Sequence, residues 1–169
     1  MNQAINDPQN GPPGSDRISL HPLCEEDFPW LLLWMVQETN ASLALLLQTT
    51  KGSAEITIIT GVINNHERVS LLTVYAAAFT RLKTAYTLQP GEYSIQQLQL
   101  NPLILNKKTV LFSLLGHYTH YLFTRLKANK IFWEIPNIDV LYHELAQKAG
   151  FRKTAIQDQR LYTLYEYAG

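Results

Sequence analysis

The sequence predicts a mixed α/β domain of the α+β kind, with a central, mostly antiparallel sheet, one parallel strand-helix-strand crossover and flanking helices. Three observations predict it. Residues 91–135 run as a strand (Glu92 to Leu100), a loop (Asn101 to Lys108), a long amphipathic helix (Thr109 to about Leu126) and a second short strand (Lys130 to Ile135). Two β-rich runs, Glu55 to Ile63 and Arg68 to Tyr75, flank Asn64-Asn65-His66-Glu67, which reads as a hairpin. The chain closes on a second alternating pair, Arg152 to Ile156 and Arg160 to Tyr167, around Gln157-Asp158-Gln159.

The remaining elements follow in order. Residues 1–16 are rich in Asn, Gln, Pro and Gly and hold almost no large apolar group, so they cannot offset the entropy of ordering and read as a flexible tail. Residues 17–169 read as a single domain. Ile18 and Leu20 begin a short strand that His21-Pro22 ends. Glu25, Glu26 and Asp27 place acidic groups in a first helical turn, where they favour the helix dipole, and the apolar run Trp30 to Val36 completes that helix. A second helix is expected from Ala41 to about Thr49, ended by Lys51-Gly52. The loop Gln89-Pro90-Gly91 leads into the Glu92 strand, and the last helix runs from Ile138 to Ala149 with Gly150 as its cap.

Composition narrows the class of function. The 14 basic and 14 acidic residues cancel and no block of like charge occurs, which argues against nucleic acid or an anionic membrane as partner. No stretch approaches the ~20 apolar residues that span a bilayer, and the polar N-terminus does not resemble a signal peptide. The single cysteine, Cys24, excludes an internal disulfide framework and fits a reducing compartment. A cytoplasmic protein is expected.

Three stretches carry a family resemblance: ISLHPLCEEDFPWLLLWM (18–35), VYAAAFTRLKTAYTLQPG (74–91) and Tyr118 to Arg152, ending in LAQKAGFR. With the element order, they resemble the GNAT superfamily of acyl-CoA-dependent N-acyltransferases, closest to those that acylate hydroxylated amines such as hydroxylysine in siderophore biosynthesis. The resemblance implies a GNAT-like fold with two parallel strands splayed to leave a cleft. It also implies an acyl-CoA site at Leu98, Leu100, Lys107, Lys108 and Thr109. Members typically have Arg or Gln, two residues, Gly, one residue, and Gly or Ala between strand and helix, so that backbone amides approach a pyrophosphate. The equivalent stretch here, Leu105 to Leu111, contains no glycine. The siderophore-type relatives carry a His on the strand and an Asp after the next strand. Those positions fall at Gln96, within one residue, and at about Pro136, neither of which exchanges a proton at neutral pH.

The leading expectation is therefore a catalytically degenerate GNAT-fold protein that acts by binding a partner, with no cofactor expected. The alternative is an active N-acyltransferase using acetyl-CoA or another acyl-CoA, with Glu134 or His143 in the catalytic role. A third reading is a small-molecule binder using the old cleft. Glu134 ends the strand between Trp133 and Pro136, where an acidic residue borders the acyl-CoA cleft of the resembling enzymes. His143 lies on the last helix, with a solvated position as its alternative. His117 and His120 share a helix face but lack a third ligand, so no metal site is expected. Tyr162, Tyr165 and Tyr167 alternate with Leu161 and Leu164 and cannot all point inward. Exposed tyrosines would suit a protein partner or a homodimer through this C-terminal aromatic surface.

Overall fold

The computed structural model describes residues 17–35, 55–154 and 161–169. The expected tail, the helix expected at 41–49 and the 155–160 turn lie outside the described residues.

Seven strands form one sheet in the order β1-β2-β3-β4-β5-β7-β6. They are β1 (Ile18–Pro22), β2 (Ile56–Ile63), β3 (Glu67–Ala76), β4 (Glu92–Leu100), β5 (Lys130–Pro136), β6 (Arg152–Lys153) and β7 (Tyr162–Ala168). Every neighbouring pair is antiparallel except β4 and β5. Among the described residues the α-helices are α1 (Phe28–Met35), α2 (Lys107–Thr124) and α3 (Val140–Lys148). The long α2 makes the β4-to-β5 crossover that parallel neighbours require.

The sheet is buried on both faces. Along β2 and β3, Ile59, Leu72 and Val74 point to the α2 side, while Ile58 and Leu71 meet Leu31 and Trp34 of α1 on the other side. This is the two-residue alternation of a strand with cover on each face. On α2 the buried residues are Leu111, Leu114, Leu115, Tyr118 and Leu122, spaced as one helical stripe. Each contributes about 1.5–3 kcal/mol by leaving water. Tyr118 is fully buried, and its hydroxyl is satisfied by Ser70 Oγ at 2.8 Å and the Ile59 carbonyl at 3.3 Å. That phenol fits only because residue 61 is a glycine: a Cβ there would lie 2.9 Å from Tyr118 Oη and overlap Ser70 Oγ.

Several boundaries differ from the sequence expectation. β1 continues through His21 and Pro22, because on this edge strand proline loses no needed ladder bond. The helix expected from Thr109 starts at Lys107 instead. α3 ends as expected at Gly150, whose φ of 92° lets the Gly150 N–H reach Gln147 O and the Phe151 N–H reach Ala146 O. The last strand differs more. Tyr165 is wholly buried, and Tyr162 and Tyr167 are half-buried rather than exposed, with Tyr167 against Phe123 and Phe151 at ring distances of 5.6 and 5.2 Å. The sequence alternation did not show that rings from α2 and the α3–β6 turn would cover that face.

Candidate active site

The parallel pairing of β4 and β5 is short. It runs from Glu92 opposite Lys130 to Ile95 opposite Trp133 and stops there, although β4 continues to Leu100 and β5 to Pro136. The cause is local. On its other side β4 pairs Ile95 with Val74 and Gln97 with Thr73, leaving Gln96 as the extra residue of a bulge. A bulge bends and twists its own strand, here at the point where β4 parts from β5. The result is a V-shaped gap in the middle of the sheet, with Gln96 and Gln97 exposed on a central strand.

Two hollows open on this gap. One, of about 240 Å³, lies between the splayed strands and α3 and is lined by Gln97, Leu98, Trp133, Asp139 and Tyr142 among others. The second, of about 480 Å³, is bordered by Tyr75, Phe79, Thr80, Arg81, Ile95 and Tyr162. Gln96 and Glu134 line both, so the hollows meet at these two side chains.

Within the first hollow the Tyr142 hydroxyl donates to the Leu98 carbonyl at 2.9 Å. That contact fixes the direction of the strand edge, since the N–H and C=O of one strand residue point the same way. Leu98 therefore turns both backbone groups into the gap. Tyr142 is held by Trp133, ring edge to ring face, at 5.8 Å.

At the junction Glu134 is half-buried and accepts from Arg81 Nε through both carboxylate oxygens, at 3.0 and 2.9 Å. The Arg81 guanidinium lies 4.8 Å from the centre of the Tyr162 ring. Gln96 donates its side-chain amide to Ser94 Oγ at 2.9 Å.

α2 follows β4 after residues 101–106. Asn106, its N-cap, makes no side-chain capping bond, and the first turn carries Lys107 and Lys108 with no acid. The opening N–H groups of a helix have no partner within it, so this turn presents donors and positive charge to an anion. Lys108 reaches Glu144 of α3 at 2.8 Å, and Glu144 is held below the usual carboxylate range by Lys108 and Lys148. Leu105, in the glycine-free loop, is 95% exposed, so its side chain turns away from the chain.

Of the residues singled out from sequence, the structure thus gathers Glu134 and Leu98 at the gap and sets Lys107, Lys108 and Thr109 in the first turn of α2, where they line neither hollow. Leu100 is buried in the core under α2. His143 stands apart, lining neither hollow. Its Nε2–H donates to the Pro136 carbonyl at 3.0 Å, and its Nδ1 accepts from the Tyr165 hydroxyl at 3.0 Å, so both ring nitrogens hold structure together. His117 is exposed, with Nδ1 donating to Ser113 O. Sequence reasoning missed Tyr142 and Arg81. Nothing in a helical IDVLYHEL or a loop AFTRLKT marks either one, because only the register of the splayed strands brings them to the gap.

Among the described residues one further cluster has metal-ligand chemistry, namely His21, Cys24 and Asp27 with donor atoms within 4.8 Å of each other. It is occupied from within. Asp27 accepts from Arg68 Nε at 3.0 Å, Thr60 Oγ1 at 2.9 Å, the Cys24 backbone at 3.2 Å and His21 Nε2 at 3.0 Å, and a guanidinium on the carboxylate opposes a cation. The cluster ties the β1–α1 corner to β2 and β3.

No protein-family model matches this chain, and no curated protein matches it in sequence. Solved structures do match. An uncharacterized protein from Bacillus halodurans has a TM-score of 0.72 at 17% identity, covering 90% of this chain and 84% of that one. The aminoglycoside acetyltransferase AAC(6')-Ib, solved with paromomycin and acetyl-CoA, gives 0.72 at 16% identity over 90% of this chain and 94% of its own. A chimera of the Vibrio cholerae spermidine N-acetyltransferase SpeG and hSSAT gives 0.66 at 12%, over 89% and 95%. The chain has a GNAT-like fold. The splayed pair, the central bulge and the helix start are parts of that fold, whose element order the sequence had indicated. No helix among the described residues is long and apolar enough to cross a membrane.

Proposed function

We propose that this chain is an acyl-CoA-dependent N-acyltransferase acting on an amine or hydroxylamine. The observation that carries this reading is the gap beyond Ile95 and Trp133, where β4 no longer pairs with β5 and the Leu98 carbonyl is held by the Tyr142 hydroxyl, a bond that a ligand lying along this edge would replace. An extended amide-bearing arm can lie along such an edge as an added strand. The AAC(6')-Ib complex with acetyl-CoA, on the same fold, supports a thioester donor. The first turn of α2, with no acid and with Lys107 beside the Glu144-paired Lys108, suits the phosphate end of that donor.

In the reaction the neutral nitrogen of the acceptor attacks the thioester carbonyl. The backbone N–H groups facing the gap stabilise the developing oxyanion. Tyr142 supplies a proton to the leaving thiolate, and Glu134 takes the proton from the amine once Arg81 has parted from it. Incubation with acetyl-CoA and a panel of primary amines and hydroxylamines, with free thiol as the readout, tests this. Amine-dependent thiol release is expected, and its absence with every acceptor would overturn the reading.

The degenerate reading keeps three specific supports. Gln96 is not titratable, Glu134 is engaged by Arg81, and the loop before α2 has no glycine. On that reading the fold serves a partner, for which the half-buried Tyr162 and Tyr167 are the candidate contacts. Acyl-CoA binding without turnover, together with a stable dimer in solution, would favour it.

A further inference from the structure

The second hollow has its own chemistry. Its described lining holds one carboxylate, Glu134, and one guanidinium, Arg81, in direct contact, with Tyr75, Phe79, Ile95 and Tyr162 around them. The Glu134 side chain is 12% exposed, so it requires a positive partner, and Arg81 is steadied in place by the Tyr162 ring. A simple amine entering here would satisfy Glu134 but meet Arg81 as a like charge. A ligand carrying both an ammonium and a carboxylate exchanges one ion pair for two and leaves no charge unpaired. Arg81 and Glu134 line the same hollow side by side, so a ligand that pairs with both carries its two charges close together, as they are when a single carbon separates them. Besides polar Thr80 and Gln96, the rest of the wall is formed by Tyr75, Phe79, Ile95 and Tyr162, and Phe79 is 55% exposed, so an apolar side chain would have Phe79 and the two tyrosine rings to lie against. We propose that the acceptor is a free α-amino acid with an apolar side chain, acylated on its α-amine, with Arg81 binding the carboxylate and Glu134 the amine.

The inference rests on the N-acyltransferase reading for its chemistry, though not for its binding. The α-amine, as free base, forms the new C–N bond to the acyl carbon while the C–S bond of the thioester breaks. The proton lost by nitrogen goes to Glu134 and one proton goes to the leaving thiolate, which gives an N-acyl amino acid and a free thiol. Arg81 is a specificity-determining residue in this scheme, and Gln96, shared by both hollows, stands where nitrogen and acyl carbon meet.

Calorimetric titration of the full chain with L-phenylalanine, L-leucine, phenethylamine, phenylalanine methyl ester and spermidine tests the proposal. Loss of the carboxylate should weaken binding about 10- to 100-fold relative to the amino acid, the worth of a charge-assisted pair. The Arg81→Gln variant should bind phenylalanine and phenethylamine equally. Spermidine or phenethylamine binding as tightly as the amino acids to the native chain, or no heat from either amino acid, would overturn the proposal. A parallel titration with acetyl-CoA separates the two readings. Donor binding without amino-acid binding removes this inference alone, whereas amino-acid binding without donor binding removes the transferase reading and the acylation step with it, and leaves the amino-acid site standing.

Discussion

The Tyr142 hydroxyl on α3 donates to the Leu98 carbonyl on β4, 2.9 Å away, across the gap where β4 and β5 no longer pair. One side chain thus closes a strand edge that would otherwise be open to a ligand. Removing the hydroxyl tests both of its roles. Tyr142→Phe is expected to lower kcat about 100-fold, as loss of a proton donor does, with little change in acetyl-CoA affinity, measured by steady-state thiol release. An unchanged kcat would show that the hydroxyl only braces α3.

Glu134→Gln keeps the shape of the junction and removes its proton acceptor. The expected result is a fall in kcat/KM of about 100-fold against amines that are protonated at neutral pH, and a smaller fall against hydroxylamines, which are already neutral. Equal losses for both classes would argue that Glu134 positions rather than accepts.

Asp27 governs acid stability. Burial alone would push its carboxyl up, but hydrogen bonds from the Cys24 backbone, Arg68, Thr60 and His21 outweigh burial and hold it below the usual range. A carboxyl depressed in the folded state contributes stability that is present above its unfolded value, about 3.9, and is lost as pH falls through the folded one. Thermal melts of the native chain should therefore lose Tm below that pH, while Asp27→Ala should be about 3 kcal/mol less stable at neutral pH and have a flatter acid limb. A parallel acid limb in the variant would contradict the assignment.

Cys24 is expected to be a slow thiol. Burial, with hydrogen bonds to Glu26 and Asp27, pushes it up to about 11. Iodoacetamide labelling of the folded chain should be slow at neutral pH and accelerate only toward that value, whereas the unfolded chain labels near the ordinary thiol range of about 8.5.

Gly61→Ala should destabilise by about 1–3 kcal/mol in denaturant unfolding, because the added methyl displaces the Ser70 and Tyr118 hydroxyls. Adding Tyr118→Phe to it should recover part of the loss, since the crowding oxygen is gone.

The extent to which sequence revealed this molecule follows from the range of each signal. The β2–β3 hairpin was legible because Asn64 and Asn65 accept the left-handed turn, with φ of 52° and 66°, between two apolar runs. The crossover was legible from the stripe Leu111, Leu114, Leu115, Tyr118 and Leu122. At the gap the sequence pointed to Glu134 and Leu98, both placed by their position along a strand, which is local information. Arg81 and Tyr142 are 53 residues upstream of Glu134 and 44 downstream of Leu98. The bulge that opens the gap appears only when β4 is laid against β3, since Gln96 has no sequence mark of a bulge. His143 read as a candidate base or a solvated helix position, and neither reading found its two partners, Tyr165 and Pro136, because they come from other elements.

The transferase proposal requires the gap between β4 and β5 to bind an acyl thioester. Isothermal titration of the folded full-length chain with acetyl-CoA tests this most directly. The predicted result is saturable one-to-one binding in the micromolar range, weakened about tenfold when the helix start loses its charge in Lys107→Gln/Lys108→Gln. No heat of binding from the folded native chain would contradict it.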